Sequence, residues 1–410
     1  MMNNIEITKN TYCVGKIDDT KVPFHRLILE KGTTYNSYLL NTEKPTLIDT
    51  VDISYGMEFV KHLQEIMDLE KLQYVVINHV EPDHAGALGA LMNKAKNATI
   101  VTTELGKKFL IGMFKLQNRN FHVIKDGETL DIGGKTLQFF ETPFLHTEET
   151  MVTYSVEDKI LFPCDIFSTH IANYELFNDL AKEDITEDFK VYYKLIMHPH
   201  RPYVRDMINK IRNLDINIIC PSHGYVLREN AKKYIDIYDE MSKVELSTDK
   251  KALVLFSSMT GNTSKIAQGL KEGLVEMGIE TNVVNIKNAD LNSILEMAKE
   301  ASAIMIGSST KYGDMIGSIE DVVKEIVKLD LSGKFGAAFG SYGWSGEAVE
   351  IINDYLKNSS LTLLDTSYMI KATGDDHIKL PLRVNFTPEE QTKEICIETG
   401  IAIGEILIKN

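Results

Sequence analysis

Four potential metal ligands lie within the stretch Asn78-His79-Val80-Glu81-Pro82-Asp83-His84-Ala85-Gly86, namely His79, Glu81, Asp83 and His84. The stretch follows Tyr74-Val75-Val76-Ile77, an apolar and mostly β-branched run that predicts a buried strand. Residues 85–92 come next and predict the start of a helix. Because α/β proteins commonly place their functional groups in a loop between a buried strand and a helix, this stretch is the predicted centre of an active site.

The composition indicates a two-domain protein that does not bind nucleic acid. The chain has 410 residues and a formal net charge of −15, whereas a nucleic-acid interface needs a basic face. No apolar run approaches the roughly 18 residues that suggest a membrane helix, and the N-terminus lacks the apolar core of a signal peptide. The four cysteines form no Cys-x-x-Cys pair, which argues against a zinc ribbon or a rubredoxin-type centre. We therefore expect a cytoplasmic protein in a reducing compartment.

Short strand candidates separated by turns fill the first domain, predicted at residues 1–248. Residues 34–40 and 45–49 predict two strands, residues 55–67 predict a helix, and residues 178–213 predict a mostly helical and more polar segment. The polar segment 245–250 is the predicted linker.

Strands and helices alternate at wide spacing in the second domain, predicted at residues 249–410. The predicted strands are 252–256, 281–286, 303–307, 335–339 and 361–368. The predicted helices are 264–277, 291–299, 319–329, 346–357 and 388–408. This alternation predicts a five-stranded, doubly wound parallel sheet with helices on both faces.

Further potential ligands follow other strand candidates of the first domain, namely His146, Asp165 and His223. Strand ends at one edge of a sandwich can converge in space. Four imidazoles and three carboxylates suit two metal ions, because a single ion would leave several charged groups buried and unpaired. Asp165 is the natural bridge, since the two oxygens of a carboxylate can span two cations. Six other histidines lack such support, and most of them are predicted to be structural or exposed: His25, His62, His122, His170, His198 and His200.

The balance of donor types favours iron over zinc. Zinc sites favour imidazole and thiolate with fewer carboxylates, whereas this motif mixes three carboxylates with imidazoles and contains no cysteine. Zinc or manganese stays open on ligand chemistry alone.

Three loops rich in Gly, Ser and Thr follow predicted strands of the second domain. The candidate cofactor-binding residues in them are Ser257, Met259, Thr260, Gly261, Asn262 and Thr263, then Ser309, Thr310, Lys311, Tyr312 and Gly313, then Ser341, Tyr342, Gly343, Trp344 and Gly346. Small hydroxyl residues and a glycine before a helix can surround a phosphate. Neither a Gly-Lys-Ser/Thr ending nor a Gly-x-Gly-x-x-Gly motif is present, so a single phosphate, as in FMN, fits best. Trp344, the only tryptophan, is expected either to stack on the planar ring or to pack as a loop aromatic on its own domain.

The order of these motifs resembles a known family. The first domain resembles the metallo-β-lactamase fold in its order of Asp49, the His79 motif, His146, Asp165 and His223, except that Glu81 stands where the hydrolases usually have histidine. The second domain resembles flavodoxin. The combination over essentially the whole chain, with Glu81, resembles the flavodiiron proteins, also called A-type flavoproteins. The fold class that this implies is an αββα sandwich followed by a flavodoxin-like sheet.

The resemblance implies a ligand set and a reaction. His79, Glu81 and His146 would bind one iron, Asp83, His84 and His223 the other, and Asp165 would bridge them. FMN would pass electrons to the two Fe ions, which reduce dioxygen to water or nitric oxide to nitrous oxide. Family members form head-to-tail dimers, or tetramers made from them, which bring the flavin of one chain close to the diiron site of its neighbour. By analogy Phe24, His25 and Tyr193 line the substrate pocket, with His25 and Tyr193 as candidate catalytic residues.

Two departures from the family pattern and two alternatives accompany this interpretation. Ser309 stands where relatives often have proline, and the sequence ends at Asn410 without an appended rubredoxin or flavin reductase. We therefore expect a separate electron donor, either a rubredoxin or a reduced deazaflavin.

One alternative is a dizinc hydrolase of the metallo-β-lactamase type with a flavodoxin-like appendage. The other is an electron carrier whose metal domain is only structural.

Overall fold

The structure is a computed structural model that describes residues 1–2, 4–24, 27–243, 250–374 and 376–409. The chain divides into two compact units, Met1–Lys243 and Val244–Asn410. The predicted boundary between residues 248 and 249 and most of the predicted linker lie outside the described residues, so the exact boundary stays a prediction. None of the described helices combines the length and the apolar character that crossing a lipid bilayer requires.

The first unit consists mostly of short strands with helices at its two outer faces. Its strands are β1 (Ile5–Thr8), β2 (Thr11–Cys13), β3 (Lys16–Asp18), β4 (Val22–Phe24), β5 (Leu27–Leu29), β6 (Thr33–Tyr35), β7 (Tyr38–Leu40), β8 (Thr46–Ile48), β9 (Tyr74–Val76), β10 (Thr99–Thr102), β11 (Asn120–Val123), β12 (Thr129–Asp131), β13 (Thr136–Glu141), β14 (Met151–Ser155), β15 (Ile160–Phe162) and β16 (Ile218–Ile219). Its α-helices are α1 (Gly56–Ile66), α2 (Pro82–Ala85), α3 (Leu88–Met92), α4 (Glu104–Phe114), α5 (Thr186–Tyr192), α6 (Arg201–Ile211) and α7 (Ala231–Met241). Short 3-10 turns lie at Ile53–Tyr55, Leu69–Lys71, Asn178–Leu180 and His198–His200, and a π-helical turn lies at Tyr193–Met197.

Two sheets face each other in this unit. The first has the strand order β1-β2-β7-β8-β9-β10-β11 and the second β12-β13-β14-β15-β16, while β3-β6 and β4-β5 form small two-stranded sheets. Strands β8 to β11 run parallel. Buried side chains such as Ile48, Val76 and Phe139 fill the space between the two large sheets. This interior positions the strand ends from which the polar loops emerge.

Helices cover both outer faces of the sandwich. Leu47 and Val75 point away from the other sheet and pack with residues of α1 and α3. Val152 and Leu161 of the second sheet pack with α5, α6 and α7. Neighbouring strand residues point to opposite faces, and both faces are covered, which explains why the central strands are apolar throughout. The predicted αββα architecture is confirmed.

The strand predicted at residues 34–40 is wrong as one element. It is split into β6, which pairs with β3, and β7, which pairs with β2 and β8. The break falls at Asn36 and Ser37, whose polar side chains bond to neighbouring loops. The Asn36 amide donates to the Pro221 carbonyl at 2.9 Å, and the Ser37 hydroxyl donates to the Asp49 carbonyl at 2.8 Å.

The second unit alternates strands and helices. Its strands are β17 (Lys251–Ser257), β18 (Glu280–Asn285), β19 (Ala303–Ser309), β20 (Phe335–Tyr342), β21 (Thr362–Leu363) and β22 (Leu382–Asn385). Its α-helices are α8 (Asn262–Glu276), α9 (Leu291–Glu300), α10 (Ile319–Ile326), α11 (Glu347–Lys357), α12 (Thr366–Thr373) and α13 (Glu390–Lys409), and a 3-10 turn lies at Ile286–Asn288.

All strands of this unit run parallel in the order β18-β17-β19-β20-β21, with β22 also paired to β20. One face packs residues such as Val254 and Met305 against α8 and α13. The other packs Leu255 and Ile306 against α9, α10 and α11. The predicted doubly wound, flavodoxin-like sheet is confirmed.

The predicted fifth strand, residues 361–368, is wrong in its second half. Only Thr362–Leu363 is a strand, because the Asp365 side chain accepts a hydrogen bond from the Tyr368 backbone N–H at 2.7 Å and starts helix α12. The chain then returns to the same edge as β22. The five predicted strand positions are therefore present, but two short strands share the last one.

Candidate metal centre and flavin loops

Strand ends of the first unit bring the seven predicted metal ligands together. His79 follows β9, His146 lies between β13 and β14, Asp165 follows β15 and His223 follows β16. Asp83 and His84 lie on the short helix α2 rather than in a loop, since Pro82 is well suited to the first turn of a helix. All three carboxylates and four imidazoles occur in contacts of 4 Å or less within this cluster.

Asp165 lies between two pairs of imidazoles. Its Oδ2 atom is 3.1 Å from Nε2 of His146 and 3.8 Å from Nε2 of His79. Its Oδ1 atom is 3.3 Å from Nε2 of His84 and 3.3 Å from Nε2 of His223. Each oxygen of one buried carboxylate therefore faces a different pair of ring nitrogens, which is the geometry that a bridge between two cations requires.

Each pair of imidazoles also has a carboxylate of its own. Oε2 of Glu81 lies 3.4 Å from Nε2 of His79 and 3.6 Å from Nε2 of His146. We call His79, Glu81 and His146 triad A. Glu81 has a side chain that is 34% exposed, so the cluster is open to solvent on this side.

The second group is built in the same way. Oδ2 of Asp83 lies 3.4 Å from Nε2 of His84 and 3.5 Å from Nε2 of His223. We call Asp83, His84 and His223 triad B. The donor atoms within each triad lie within 4.8 Å of one another, close enough to share one ion.

The electrostatics of the cluster fit bound cations. The buried Nε2 atoms of His79 and His84 make no hydrogen bond to any other described residue, and such nitrogens are costly to leave without a partner. Burial raises the pKa of Asp165, but the charge of His84 and the hydrogen bond from His146 outweigh it and hold that pKa well below the usual range. The carboxylate is thus held in its charged, ligating form. Two divalent ions, one at each triad, match this donor set.

Partners at the other ring nitrogen orient three of the imidazoles. Nδ1 of His79 lies 2.7 Å from Oε1 of Glu149, and Nδ1 of His223 lies 2.6 Å from the Thr34 carbonyl. Nδ1 of His84 lies 3.5 Å from Sγ of Cys164. These contacts direct each Nε2 atom towards the centre, as partners of metal-binding histidines commonly do.

Asp49 supports the ligand loop from behind. Its carboxylate accepts hydrogen bonds from the backbone N–H of Asn78 at 2.8 Å and from the Asn78 side chain at 3.0 Å. The side-chain amide oxygen of Asn78 in turn accepts a hydrogen bond from the Thr153 hydroxyl at 2.7 Å. The buried carboxylate therefore holds the residue that precedes His79.

The three predicted flavin loops meet at the N-terminus of α8. The Thr263 hydroxyl lies 2.9 Å from that of Ser309 and 2.8 Å from that of Ser341, so one residue from each loop contributes to a hydroxyl cluster. The Ser309 hydroxyl also accepts from the Met259 N–H at 3.3 Å. Gly261, immediately before the helix, has a φ of 88°, a conformation that favours glycine. Hydroxyls and free helix N–H groups of this kind suit a phosphate group.

Two aromatic side chains stand exposed on the same loops. Tyr312 is 95% exposed and Trp344 is 94% exposed, although large aromatic side chains are usually buried. The other predicted flavin residues lie on the same three loops: Ser257, Thr260 and Asn262 on the first, Thr310, Lys311 and Gly313 on the second, and Tyr342, Gly343 and Gly346 on the third. This arrangement fits FMN, with its phosphate at the helix and its ring beside the aromatic side chains.

Comparisons with known proteins agree with both halves. A profile described as "ODP family beta lactamase" matches residues 33–224, and a flavodoxin profile matches residues 254–400. The anaerobic nitric oxide reductase flavorubredoxin of Vibrio vulnificus is 33% identical over 98% of this chain and 80% of its own length. The chain belongs to the flavodiiron protein family.

Solved structures of the flavodiiron family show the same fold. The flavodiiron protein from Giardia intestinalis is 28% identical with a TM-score of 0.58, covering 100% of this chain and 98% of its own. Rubredoxin oxygen:oxidoreductase from Desulfovibrio gigas is 29% identical with a TM-score of 0.58, covering 98% of both chains.

Of the three residues predicted to line the substrate pocket, the structure describes the side chain of one. His25 lies outside the described residues, and Phe24 is described only as part of the backbone of β4. Tyr193 is buried in the core between the helices, where its ring centroid is 4.7 Å from that of Tyr238. Its catalytic role stays a prediction.

Tyr192, one residue earlier, approaches the metal centre of this flavodiiron protein. Its ring centroid lies 5.0 Å from that of His170, which lies 5.0 Å from that of His223. Burial and the nearby Asp165 carboxylate raise the pKa of Tyr192 well above its usual value. Which of two adjacent helical residues faces a site depends on the rotation of the helix about its axis. The sequence pattern did not determine that rotation.

Glu149 is a residue of the centre that sequence reasoning missed. It lies three residues after His146, in a segment that contains two adjacent glutamates. The distinguishing feature, its burial beside His79, depends on the fold of the loop before β14.

Proposed function

We propose that this flavodiiron protein reduces dioxygen to water or nitric oxide to nitrous oxide, at two iron ions fed with electrons by FMN. The observation that carries the proposal is the position of Asp165, whose two oxygens face two separate imidazole pairs. Residues arranged in this way would hold two ions, and the two ions would supply the redox and Lewis-acid chemistry that a diatomic gas requires. The names of the relatives support the same chemistry, since one is a nitric oxide reductase and another an oxygen oxidoreductase.

Triads A and B are the proposed ligands of the two ions, and Asp165 is the proposed bridge. Glu81, Asp83 and Asp165 contribute the negative charge that offsets the charge of two divalent cations. Bound here, iron and FMN would supply electrons and Lewis acidity to the gas. The protein's own contribution is to hold the donor atoms in place, through Glu149, the Thr34 carbonyl and Cys164 at the outer ring nitrogens.

Access and proton supply are proposed to come from two sides of the cluster. Glu81 is partly exposed, so gas and water can reach triad A past its carboxylate. The Tyr192 hydroxyl is buried near the Asp165 carboxylate, and its raised pKa keeps it protonated. It is therefore available as a hydrogen-bond donor to a ligand at the centre, with Tyr193 and His25 as the other candidates.

The two alternative functions are less well supported. A dizinc hydrolase would be expected to resemble hydrolases, whereas the relatives that cover both units carry oxidoreductase names and triad A contains Glu81. A purely structural metal site would be coordinatively closed, whereas Glu81 leaves this one open to solvent.

The remaining partners are proposed from the family. We infer a rubredoxin-type donor, in line with the name of the Desulfovibrio gigas protein, with a reduced deazaflavin as the alternative to be tested. A head-to-tail homodimer or tetramer would place exposed flavin loops beside the metal centre of a neighbouring chain. The four cysteines are free thiols, which supports work in the reducing cytoplasm.

Purified full-length protein tests the proposal directly. Iron, zinc and flavin are first quantified, and the protein is then reduced without oxygen and exposed to dioxygen and to nitric oxide in separate runs, with each candidate donor. We expect two iron ions and one FMN per chain and rapid consumption of at least one gas. Two zinc ions without flavin would favour the hydrolase, and bound iron without consumption of either gas would favour the carrier.

A further inference from the structure

Triads A and B differ in the groups that contact the Nδ1 atoms of their histidines, on the side of each ring opposite to the proposed metal. Behind triad A, the buried carboxylate of Glu149 lies 2.7 Å from Nδ1 of His79. Behind triad B the partners are neutral, namely the Thr34 carbonyl at 2.6 Å from His223 and the Cys164 thiol at 3.5 Å from His84. The Cys164 side chain is buried and offers only a thiol sulfur, which is a weak hydrogen-bonding group.

Glu149 is fixed in place at both its backbone and its side chain. Its Oε1 atom accepts a hydrogen bond from the Val80 N–H at 3.2 Å, and its backbone carbonyl accepts one from the Thr103 hydroxyl at 2.9 Å. The side chain is 1% exposed, so water does not screen its interaction with the ring. The carboxylate therefore cannot move away from Nδ1 without loss of other bonds.

The other buried carboxylate near the cluster does not cancel this difference. Both oxygens of Asp49 accept hydrogen bonds from Asn78, one from its backbone and one from its side chain. The charge of Asp49 acts on both His84 and His79 without a hydrogen bond to either ring, whereas Glu149 makes a hydrogen bond to a ligand ring itself.

We propose that Glu149 is a positioning residue that makes the two metal sites unequal, so that triad A takes up the first ion and holds it more tightly than triad B. A carboxylate on Nδ1–H raises the basicity of the opposite ring nitrogen and fixes its direction, which strengthens the bond from Nε2 to the metal. A thiol is a weaker acceptor and adds no charge. The inference rests on the proposed two-metal function.

Stepwise metal binding tests this inequality. The metals are removed from the full chain while its flavin is retained. The protein is then titrated with Mn²⁺ without oxygen, and electron paramagnetic resonance distinguishes bound from free ions. We expect two resolved steps in the unaltered protein. Glu149→Gln should weaken the first step by about 10- to 100-fold, the usual effect of losing such a partner, and change the second much less.

Two matched variants separate charge from contact. Thr147 places its hydroxyl 3.2 Å from the same Nδ1 atom of His79 and also hydrogen-bonds Glu149. Thr147→Val therefore removes a neutral neighbour, while the Val80 N–H still holds the carboxylate. Cys164→Ser alters the corresponding neighbour of His84. Neither variant should weaken the first step by more than about threefold, because each leaves the Glu149 carboxylate in place.

A measurement without any variant guards against a Glu149→Gln protein that does not fold. A crystal of the unaltered protein loaded with one equivalent of Mn²⁺ should show anomalous scattering mainly at triad A. Equal scattering at both triads, scattering mainly at triad B, or an unchanged first step in Glu149→Gln would overturn the inference while leaving two-metal binding intact. Binding of fewer than two ions by the unaltered protein would instead contradict the proposed function.

Discussion

Oδ2 of Asp165 lies 3.1 Å from Nε2 of His146, on the side of the carboxylate that faces triad A. The other oxygen of the same group serves His84 and His223. One side chain thereby connects ligands that are delivered by strand ends far apart in the sequence. Substitution of Asp165 or His146 should therefore disturb the metal centre and leave the structure of the second unit unchanged.

His146→Ala should lower the bound iron to one ion per chain or less and reduce gas consumption at least about 100-fold, because it removes a ligand from triad A. FMN content should stay unchanged. Iron and flavin analysis of the purified variant checks both statements. His122→Ala is the control, since His122 pairs with Glu128 at the surface at 2.7 Å, and it should retain both cofactors. Loss of flavin with iron retained in His146→Ala would contradict the assignment of the two sites.

Thr263→Val should weaken FMN binding about tenfold, which corresponds to about 1.4 kcal/mol. The substitution removes the hydroxyl that joins Ser309 and Ser341 and leaves both without their shared partner. Titration of the flavin-free protein with FMN gives the dissociation constant. Thr281→Val removes a hydroxyl from β18 that bonds only to the Ile279 carbonyl among the described residues, and it should bind FMN normally. Equal affinity in the two variants would mean that the hydroxyl cluster does not hold the phosphate.

Trp344→Ala should weaken FMN binding by about 0.5–1.5 kcal/mol through lost ring stacking. The free energy of unfolding should change by less than about 0.5 kcal/mol, because the side chain is 94% exposed and supports little of the fold. Calorimetric titration and chemical denaturation measure the two quantities. Trp344 is the only tryptophan, so its fluorescence in the unaltered protein should also be quenched as FMN binds. Unquenched emission at saturation would rule out stacking.

Tyr192→Phe and Tyr193→Phe form a matched pair, since both hydroxyls are buried and neither makes a hydrogen bond to another described residue. Neither change should lower the melting temperature noticeably, as no hydrogen bond within the described chain is lost. Turnover should fall about tenfold in Tyr192→Phe, as expected for loss of a positioned proton donor, and less than twofold in Tyr193→Phe. The reverse result would restore the catalytic role first predicted for Tyr193.

Chelation of the metals should destabilise the first unit and leave the second as it was. Each ion at about 1,000 times its dissociation constant stabilises a fold by about 4 kcal/mol, so loss of two ions corresponds to about 16–32 °C for a unit of this size. Differential scanning calorimetry before and after chelation measures the shift. Addition of Fe²⁺ without oxygen should restore the original transition. A shift of equal size in the flavin-containing unit would show that the metals are bound elsewhere.

The clustering of the proposed metal ligands was predictable because each combines a chemically specific side chain with a strand end. His146, Asp165 and His223 are far apart in sequence, yet parallel and antiparallel strand ends at one edge made their convergence a reasonable expectation. The partners behind them were not predictable. Glu149 and Cys164 differ from other acidic and thiol residues only in burial and distance, which depend on how the loops pack.

One error in the predicted fold comes from a polar residue that bonds to the backbone, and another comes from the shortness of a strand. Asp365 has the chemistry of a helix cap, but the apolar run from Leu361 to Leu364 outweighed it in the strand prediction. Strand β22 was missed although Leu382 and Val384 alternate with exposed neighbours, as a half-buried strand should. A run of four residues is too short a pattern to be separated from an irregular segment.

Strands β21 and β22 share one edge of the sheet in the second unit, so the segment that connects them is a suitable place for an insertion. Strand β21 pairs with the start of β20, and β22 pairs with its end, next to the third flavin loop. An insertion at the exposed residues Asp376 and His377, between α12 and β22, should leave both pairings and the buried side chains of α12 unchanged. Evolution, or a protein engineer who needs a tag or a reporter, could therefore use the excursion around α12 as an insertion point while the phosphate-binding end of the sheet keeps its shape.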